Sequence, residues 1–250
     1  MHQEEELDRY KHSYTSDFPY YEENRMVHAA YGDRIASYIS ANEIHSTLSL
    51  GIGHAEVAHR IINQLANGPL ERYVIVDGAP QIIKSFCSSL EVIPQGLELI
   101  EGWFETFKYP IRFEVIEAGF ILEHVDDPRL VLTRLHQFLE PNGRIFIAVP
   151  NARSLHRLLG REANLLDDVY ALSSSDLALG HKRYFDLTTL STLVYDSGFK
   201  VVKAEGMLLK PFTTGQLESL KLTPAVWVAL LKLSADYPDI SNAIYLEAIE

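Results

Sequence analysis

Residues 47–77 read TLSLGIGHAEVAHRIINQLANGPLERYVIVD, and this run decides the architecture. Thr47–Leu50 is a short strand pattern. It runs into Gly51-Ile52-Gly53-His54-Ala55-Glu56, where glycine lets the backbone turn sharply and approach a ligand closely. Ala55–Ala66 then places Ala58, Ile61, Ile62 and Leu65 at the spacing of a buried helix face. Tyr73–Asp77 is β-branched and apolar, the signature of a strand covered on both sides. Strand, glycine turn, helix, strand is a parallel crossover unit.

The same rhythm continues outward. Residues 25–42 read as a helix with Met26, Ala29, Ala30, Ile35 and Ile39 on a loosely apolar face. Pro80–Leu90 predicts a helix opened by proline, Leu97–Ile100 a strand, and Phe113–Ala118 another. Asp127–Leu139 predicts a helix with Asp127 as N-cap and Pro128 in first position. Pro141-Asn142-Gly143 is a turn before the strand Ile145–Val149. Residues 151–186 break the rhythm; a strand is expected near Lys200–Leu209 and another at Ala243–Ile249, the latter in an antiparallel hairpin at one edge. The expectation is one α/β domain over residues 1–250, a doubly wound, mostly parallel sheet.

Composition narrows the function classes. The 250 residues are 47% apolar and 22% charged, with net charge −12 and one cysteine, Cys87. A chain of this mass folds to roughly 11,000 Å² of accessible surface from about 41,000 Å² unfolded, so its core needs no disulfide or metal staple. The acidic balance disfavours a nucleic-acid partner. The longest run free of Asp, Glu, Lys and Arg, Ile44–Ala55, is 12 residues, short of the length that spans a bilayer. An acidic start (Glu4, Glu5, Glu6, Asp8) is unlike a signal peptide, so a cytoplasmic protein is the expectation.

The glycine loop admits several ligands. A dinucleotide fingerprint needs a small residue where Glu56 stands, which argues against an oxidoreductase, and no phosphate-loop lysine follows. A Gly-x-Gly-x-small pattern ending at Ala55 fits without a phosphate. Asp77 stands 26 positions after Gly51, at a strand end where a carboxylate accepts both ribose hydroxyls; Gly78 leaves room for the sugar. A helix-capping aspartate is the simpler alternative for the same residue. Gly102-Trp103-Phe104 permits close approach with an aromatic against a purine, or supplies ordinary core aromatics.

Taken in order, LSLGIGHAE, VIVDG, LIEGWFE, FEVIEAGFILEHVDDP and LEPNGRIFIAVPN resemble the class I S-adenosylmethionine-dependent methyltransferases over about residues 45–150. The resemblance implies a Rossmann-like seven-stranded sheet with six parallel strands and one antiparallel. It implies that Gly51, Ile52 and Gly53 line the methionine moiety of S-adenosylmethionine and that Asp77 and Gly78 meet its ribose. Gly102, Trp103 and Phe104 would border the adenine, and Glu117 and Ala118 would flank the donor near its methionine part. The chain departs from the family pattern in four places: Ser49 where an acid that helps hold the methionine amino group is usual, Ala55 for a third glycine, Glu114 for aspartate, and Phe120 where ubiquinone-type O-methyltransferases carry a further metal-binding glutamate. No catalytic metal is therefore expected.

Methyl transfer from a sulfonium needs alignment and exclusion of water, and a base for an acceptor that loses a proton. His124, in Leu122–Pro128, and His181, beside Lys182, Arg183 and Tyr184, are the candidate bases among ten histidines. Arg153, Arg157, Lys182 and Arg183 form a basic cluster that would suit an anionic acceptor, or else are solvated surface charge, and Arg25 is a candidate partner for the methionine carboxylate. Residues 1–42 would form an N-terminal helical cap and residues 151–186 an acceptor lid. The expected partner is a small-molecule acceptor such as a sugar or lipid, methylated on oxygen or nitrogen; a homodimer is compatible with the sequence. The competing reading is a non-catalytic relative that keeps the fold as an interaction or regulatory module, motivated by Ser49 and Ala55.

Overall fold

The computed structural model describes residues 20–250. The acidic start (Glu4, Glu5, Glu6, Asp8) and the first part of the expected 1–42 cap lie outside the described residues. Helix α1 (Tyr21–Ala41) precedes β1 (Ser46–Leu50), α2 (Glu56–Asn67), β2 (Arg72–Asp77), α3 (Pro80–Ser89), β3 (Leu97–Glu101) and β4 (Phe113–Gly119). Then follow α4 (Pro128–Leu135), β5 (Leu139–Pro150), α5 (Leu155–Glu162), α6 (Ser174–Leu179), α7 (Leu187–Asp196), β6 (Lys200–Met207), α8 (Thr214–Ser219), α9 (Pro224–Leu233) and β7 (Ala243–Ile249).

One seven-stranded sheet has the order β3-β2-β1-β4-β5-β7-β6. Strands β3, β2, β1, β4 and β5 pair in parallel. Strand β7 is antiparallel to both neighbours, β5 and β6, so six strands share one direction. The antiparallel pair expected at one edge is present as β6 and β7, with β7 the inner strand and β6 the edge. Chain order reverses at β1/β4, and in open α/β sheets the crevice beyond the strand ends at such a switch point takes the ligand.

The strands bury both faces because helices cover both. One apolar cluster joins Leu48, Val74, Ile116, Ile147 and Leu246 to α4 and α7; the other joins Ile75, Val115 and Phe146 to α1 and α2. Helix α1 begins four residues earlier than its sequence pattern suggests and buries Val27, Tyr31, Ile35 and Ile39, an i, i+4, i+8, i+12 stripe. Asp127 caps α4 as expected, accepting the Leu130 N–H at 2.9 Å. That helix ends at Leu135, before the expected Leu139. The Pro-Asn-Gly turn becomes a bulge in β5: Phe113 pairs with Leu139 but Val115 with Arg144, and Asn142 has φ 68°.

Candidate active site

The loop between β1 and α2 is built on left-handed backbone: φ is 83° at Gly51, 52° at Gly53 and 61° at Ala55. A side chain on Gly53 would meet nothing within 4 Å, so the space above it is open. The Ile52 N–H donates to Asp77 Oδ2 at 2.9 Å, and the Ala79 N–H donates to Oδ1 at 2.8 Å. Asp77 therefore ties the glycine loop to the start of α3 while lining the cavity beside Gly78. Each carboxylate oxygen has a second lone pair, so capping and hydroxyl binding are compatible.

The cavity is large, about 1260 Å³, and is lined by Gly51–His54, Asp77–Ala79, Gly102–Thr106, Glu117 and Gly119 at one end. Trp103 is 37% exposed, while Phe104 packs against the core close to Gly51. Glu117 is buried and accepts the Gly119 N–H at 2.7 Å; burial pushes its carboxyl up to about 7. Ala118 is a correction. Successive strand residues face opposite sides of a sheet, so Glu117 and Gly119 form the wall and Ala118 is fully buried in the core. Glu114 is also removed from the site: it accepts the His45 and Ser46 N–H groups at the opposite end of the strands.

The other end of the cavity is made by residues 123–127 and by the 151–186 segment. There the chain brings His124 and His181 together, with ring centroids 4.8 Å apart. His181 Nδ1 lies 3.4 Å from Asp176 Oδ1, and Asp176 also accepts the Tyr184 hydroxyl and the Ser173 N–H and hydroxyl. Those donors hold Asp176 ionised, with its pKa well below the usual range despite burial. Burial pulls His124 down to about 3, keeping it neutral, and pushes Glu123 up to about 7. Glu123, His124 and His181 offer ligand atoms all within 4.8 Å of one another, one carboxylate and two imidazoles. Such a set suits a divalent ion. The sequence offers His124 and His181 as separate candidates but, with 57 positions between them, not their meeting with Glu123. Nor does it single out Asp176, whose only local signal is a capping box opening α6.

The basic residues are engaged by the fold. Arg157 donates to the carbonyls of Val169 at 3.0 Å and Ala171 at 2.5 Å. Arg183 reaches the carbonyls of Leu122, Val125 and Asp126, and Lys182 pairs with Asp126. Lys182 and Arg183 fasten the 151–186 segment to the loop after β4 and Arg157 ties that segment to itself, rather than forming an open anion site, while Arg153 remains exposed. Arg25 likewise binds Glu56 at 2.8 Å, and Glu56 also binds Arg60.

The sequence model of the family described as a methyltransferase domain matches residues 21–204. The ubiquinone biosynthesis O-methyltransferase of Schizosaccharomyces pombe is 34% identical over 87 residues, 34% of this chain and 32% of that protein. The matched stretch is thus about a third of that relative. A methyltransferase structure from Mesorhizobium loti superposes with TM-score 0.55 at 16% identity, covering 87% of this chain and 99% of that one. The glycopeptide N-methyltransferase MtfA, solved with S-adenosyl-L-methionine, gives TM-score 0.57 at 14% identity, covering 88% and 93%. The open space over Gly53, the carboxylate at the end of β2 and the buried acid at the end of β4 all face one cavity. The chain belongs to the methyltransferase domain family.

Proposed function

We propose that the enzyme methylates an oxygen or nitrogen of a small metabolite held between the glycine loop and residues 151–186, which act as the acceptor lid. The observation that carries this reading is the single cavity of about 1260 Å³, which reaches from Gly51 and Gly53 to His124 and His181. That exceeds the usual volume of one small-molecule site, roughly 300–1,000 Å³, so donor and acceptor fit together. When bound, S-adenosylmethionine supplies a methyl group already activated on a sulfonium.

The chain's own residues then bind, orient and move a proton. The backbone at Gly51, Ile52 and Gly53 leaves room for the methionine part, Asp77 and Gly78 take the ribose, and Gly102, Trp103 and Phe104 border the purine. With the His181 proton on Nδ1 toward Asp176, the lone pair sits on Nε2 and accepts the acceptor's proton. His124, held neutral by its burial, packs edge-on against His181 and positions it. The acidic charge favours a metabolite over a nucleic acid.

Calorimetric titration with S-adenosylhomocysteine tests the donor site, and absence of binding overturns the reading. Among turnover-competent acceptors, His181→Gln is expected to lower kcat about 10²–10⁴-fold with S-adenosylhomocysteine affinity unchanged within about twofold. Binding without turnover of any sugar, lipid or amine acceptor would favour the interaction-module alternative.

A second reading is favoured by the Glu123–His124–His181 donor set: these residues hold a divalent cation that polarises the acceptor. Dialysis against a chelator separates the two. Retained turnover supports the general base, and loss restored by one divalent metal supports the cation.

A further inference from the structure

Glu117 is a buried carboxylate in the wall of a ligand cavity, and its protein partners are all neutral. The Gly119 N–H donates to Oε1 at 2.7 Å, and the hydroxyls of Ser49 and Tyr31 face it. Tyr73 from β2 is hydrogen-bonded to the Ser49 hydroxyl at 2.9 Å, and Tyr245 from β7 stands edge-on behind Tyr31. Burial raises the pKa of all three tyrosines, so none of them supplies or loses charge near neutrality. Among the described residues, no lysine, arginine or histidine is within ion-pair distance of Glu117. A carboxylate in that setting is costly until a cation reaches it, and the open side of Glu117 is the cavity.

Its position in the sheet says which cation. Ser49 on β1 and Glu117 on β4 are register partners, so their side chains share one face at the strand ends that receive the ligand. A side chain on Gly119 would strike the Tyr31 ring at 2.2 Å and Glu117 Oε1 at 2.9 Å, so backbone, ring and carboxylate are packed into one rigid corner. The donor carries two cationic centres. Its sulfonium has no N–H or O–H to give; its α-ammonium has three donors that a carboxylate can accept.

We propose that Glu117 binds the α-ammonium group of the methyl donor, supplying from β4 the negative charge that β1, carrying Ser49, does not. The inference rests on the donor-site reading above and adds to it a partner for one named group. A donor bound in this way fixes the amino-acid end against the Gly119 corner, and the Gly119 N–H holds the carboxylate that receives it, while the Tyr31 hydroxyl is spent on the Phe146 carbonyl.

The test compares S-adenosylhomocysteine with its analogue bearing hydrogen in place of the α-amino group, each titrated calorimetrically into wild type and Glu117→Gln. Glu117→Gln is expected to weaken S-adenosylhomocysteine about tenfold to hundredfold, the cost of a lost charged hydrogen bond, and the analogue by less than about twofold. Equal weakening of both overturns the proposal. Ser49→Asp combined with Glu117→Ser returns the acid to β1 and is expected to restore the discrimination between the two ligands. The wild type keeps the proposal falsifiable if the variants do not fold. Its affinity for S-adenosylhomocysteine should fall as pH drops below about 7, with proton release on binding at pH 6 read from the buffer dependence of the enthalpy; a flat profile without release overturns it. Wild type that binds neither ligand refutes the donor site itself; wild type that binds both equally refutes the role of Glu117 alone.

Discussion

At the residue scale, Asp77 does two jobs with one carboxylate. It accepts one N–H from the glycine loop and one from the start of α3. Asp77→Ala leaves both donors without that acceptor and is expected to cost about 2–4 kcal/mol of stability, whereas Asp77→Asn keeps one acceptor and costs less. Urea denaturation reads the difference, and both variants should bind S-adenosylhomocysteine more weakly. Gly53 separates packing from function. Alanine there meets no neighbour, so only its left-handed backbone is penalised, about 1 kcal/mol. Its new methyl group nevertheless occupies ligand space. Gly53→Ala should therefore fold nearly as well as wild type and lose most of its donor affinity; unchanged affinity would place the donor elsewhere. Ala55, also left-handed, is the opposite case, a position where the glycine usual in the family would relieve strain.

At the element scale, α1 shows how a helix with a weak sequence pattern becomes fixed. Its flanks are tied in two directions, through Arg25, Glu56, Arg60 and Asp33 to α2, and through Glu23 to Lys210, Thr214 and Asn242. Glu23 and Lys210 are both buried and 2.8 Å apart. Lys210→Met strands the Glu23 charge and should cost about 3–5 kcal/mol, while adding Glu23→Met should recover much of it. Differential scanning calorimetry of the two variants checks this. The crossover units around β1 to β5 were legible because runs such as YVIVD and IFIAV carry their burial in composition. The place of β7 was not, since AIYLEAI says strand but not which neighbours. Asp77 and the glycine loop were legible because their contacts span one crossover. Glu123 with His181, and Ser49 beside Glu117, were not, because each pair is joined only by the folded sheet. The cluster of Lys182 and Arg183 left anion site and solvated charge both open for a related reason: their partners are carbonyls and an aspartate about 60 positions away.

At the scale of the whole molecule, acid stability follows from histidines held neutral. Burial pulls His54 down to about 4, His124 and His156 to about 3, and His28 well below its usual value. Their folded pKa values lie below the unfolded one, so the stability they contribute is complete above about pH 6.5 and is lost as pH falls below it. Glu117 and Glu123, raised by burial to about 7, act in the opposite sense and gain stability as pH drops from 7 toward the ordinary carboxylate range. The four histidines outnumber the two carboxyls, and the net loss of stability lies between about pH 5.5 and 4.5, where both carboxyls are already protonated in the folded protein. Urea midpoints across that range should fall; a rising profile would contradict the burial of these rings. The sheet order has a bearing on biosynthesis. Strand β7 is made after β6 yet sits between β6 and β5. During translation β5 keeps an open flank, and β6 has nowhere to dock, until residues 243–249 clear the ribosome. A nascent chain stalled before that point displays sticky unpaired backbone, which makes it a substrate for chaperones and a hazard for aggregation.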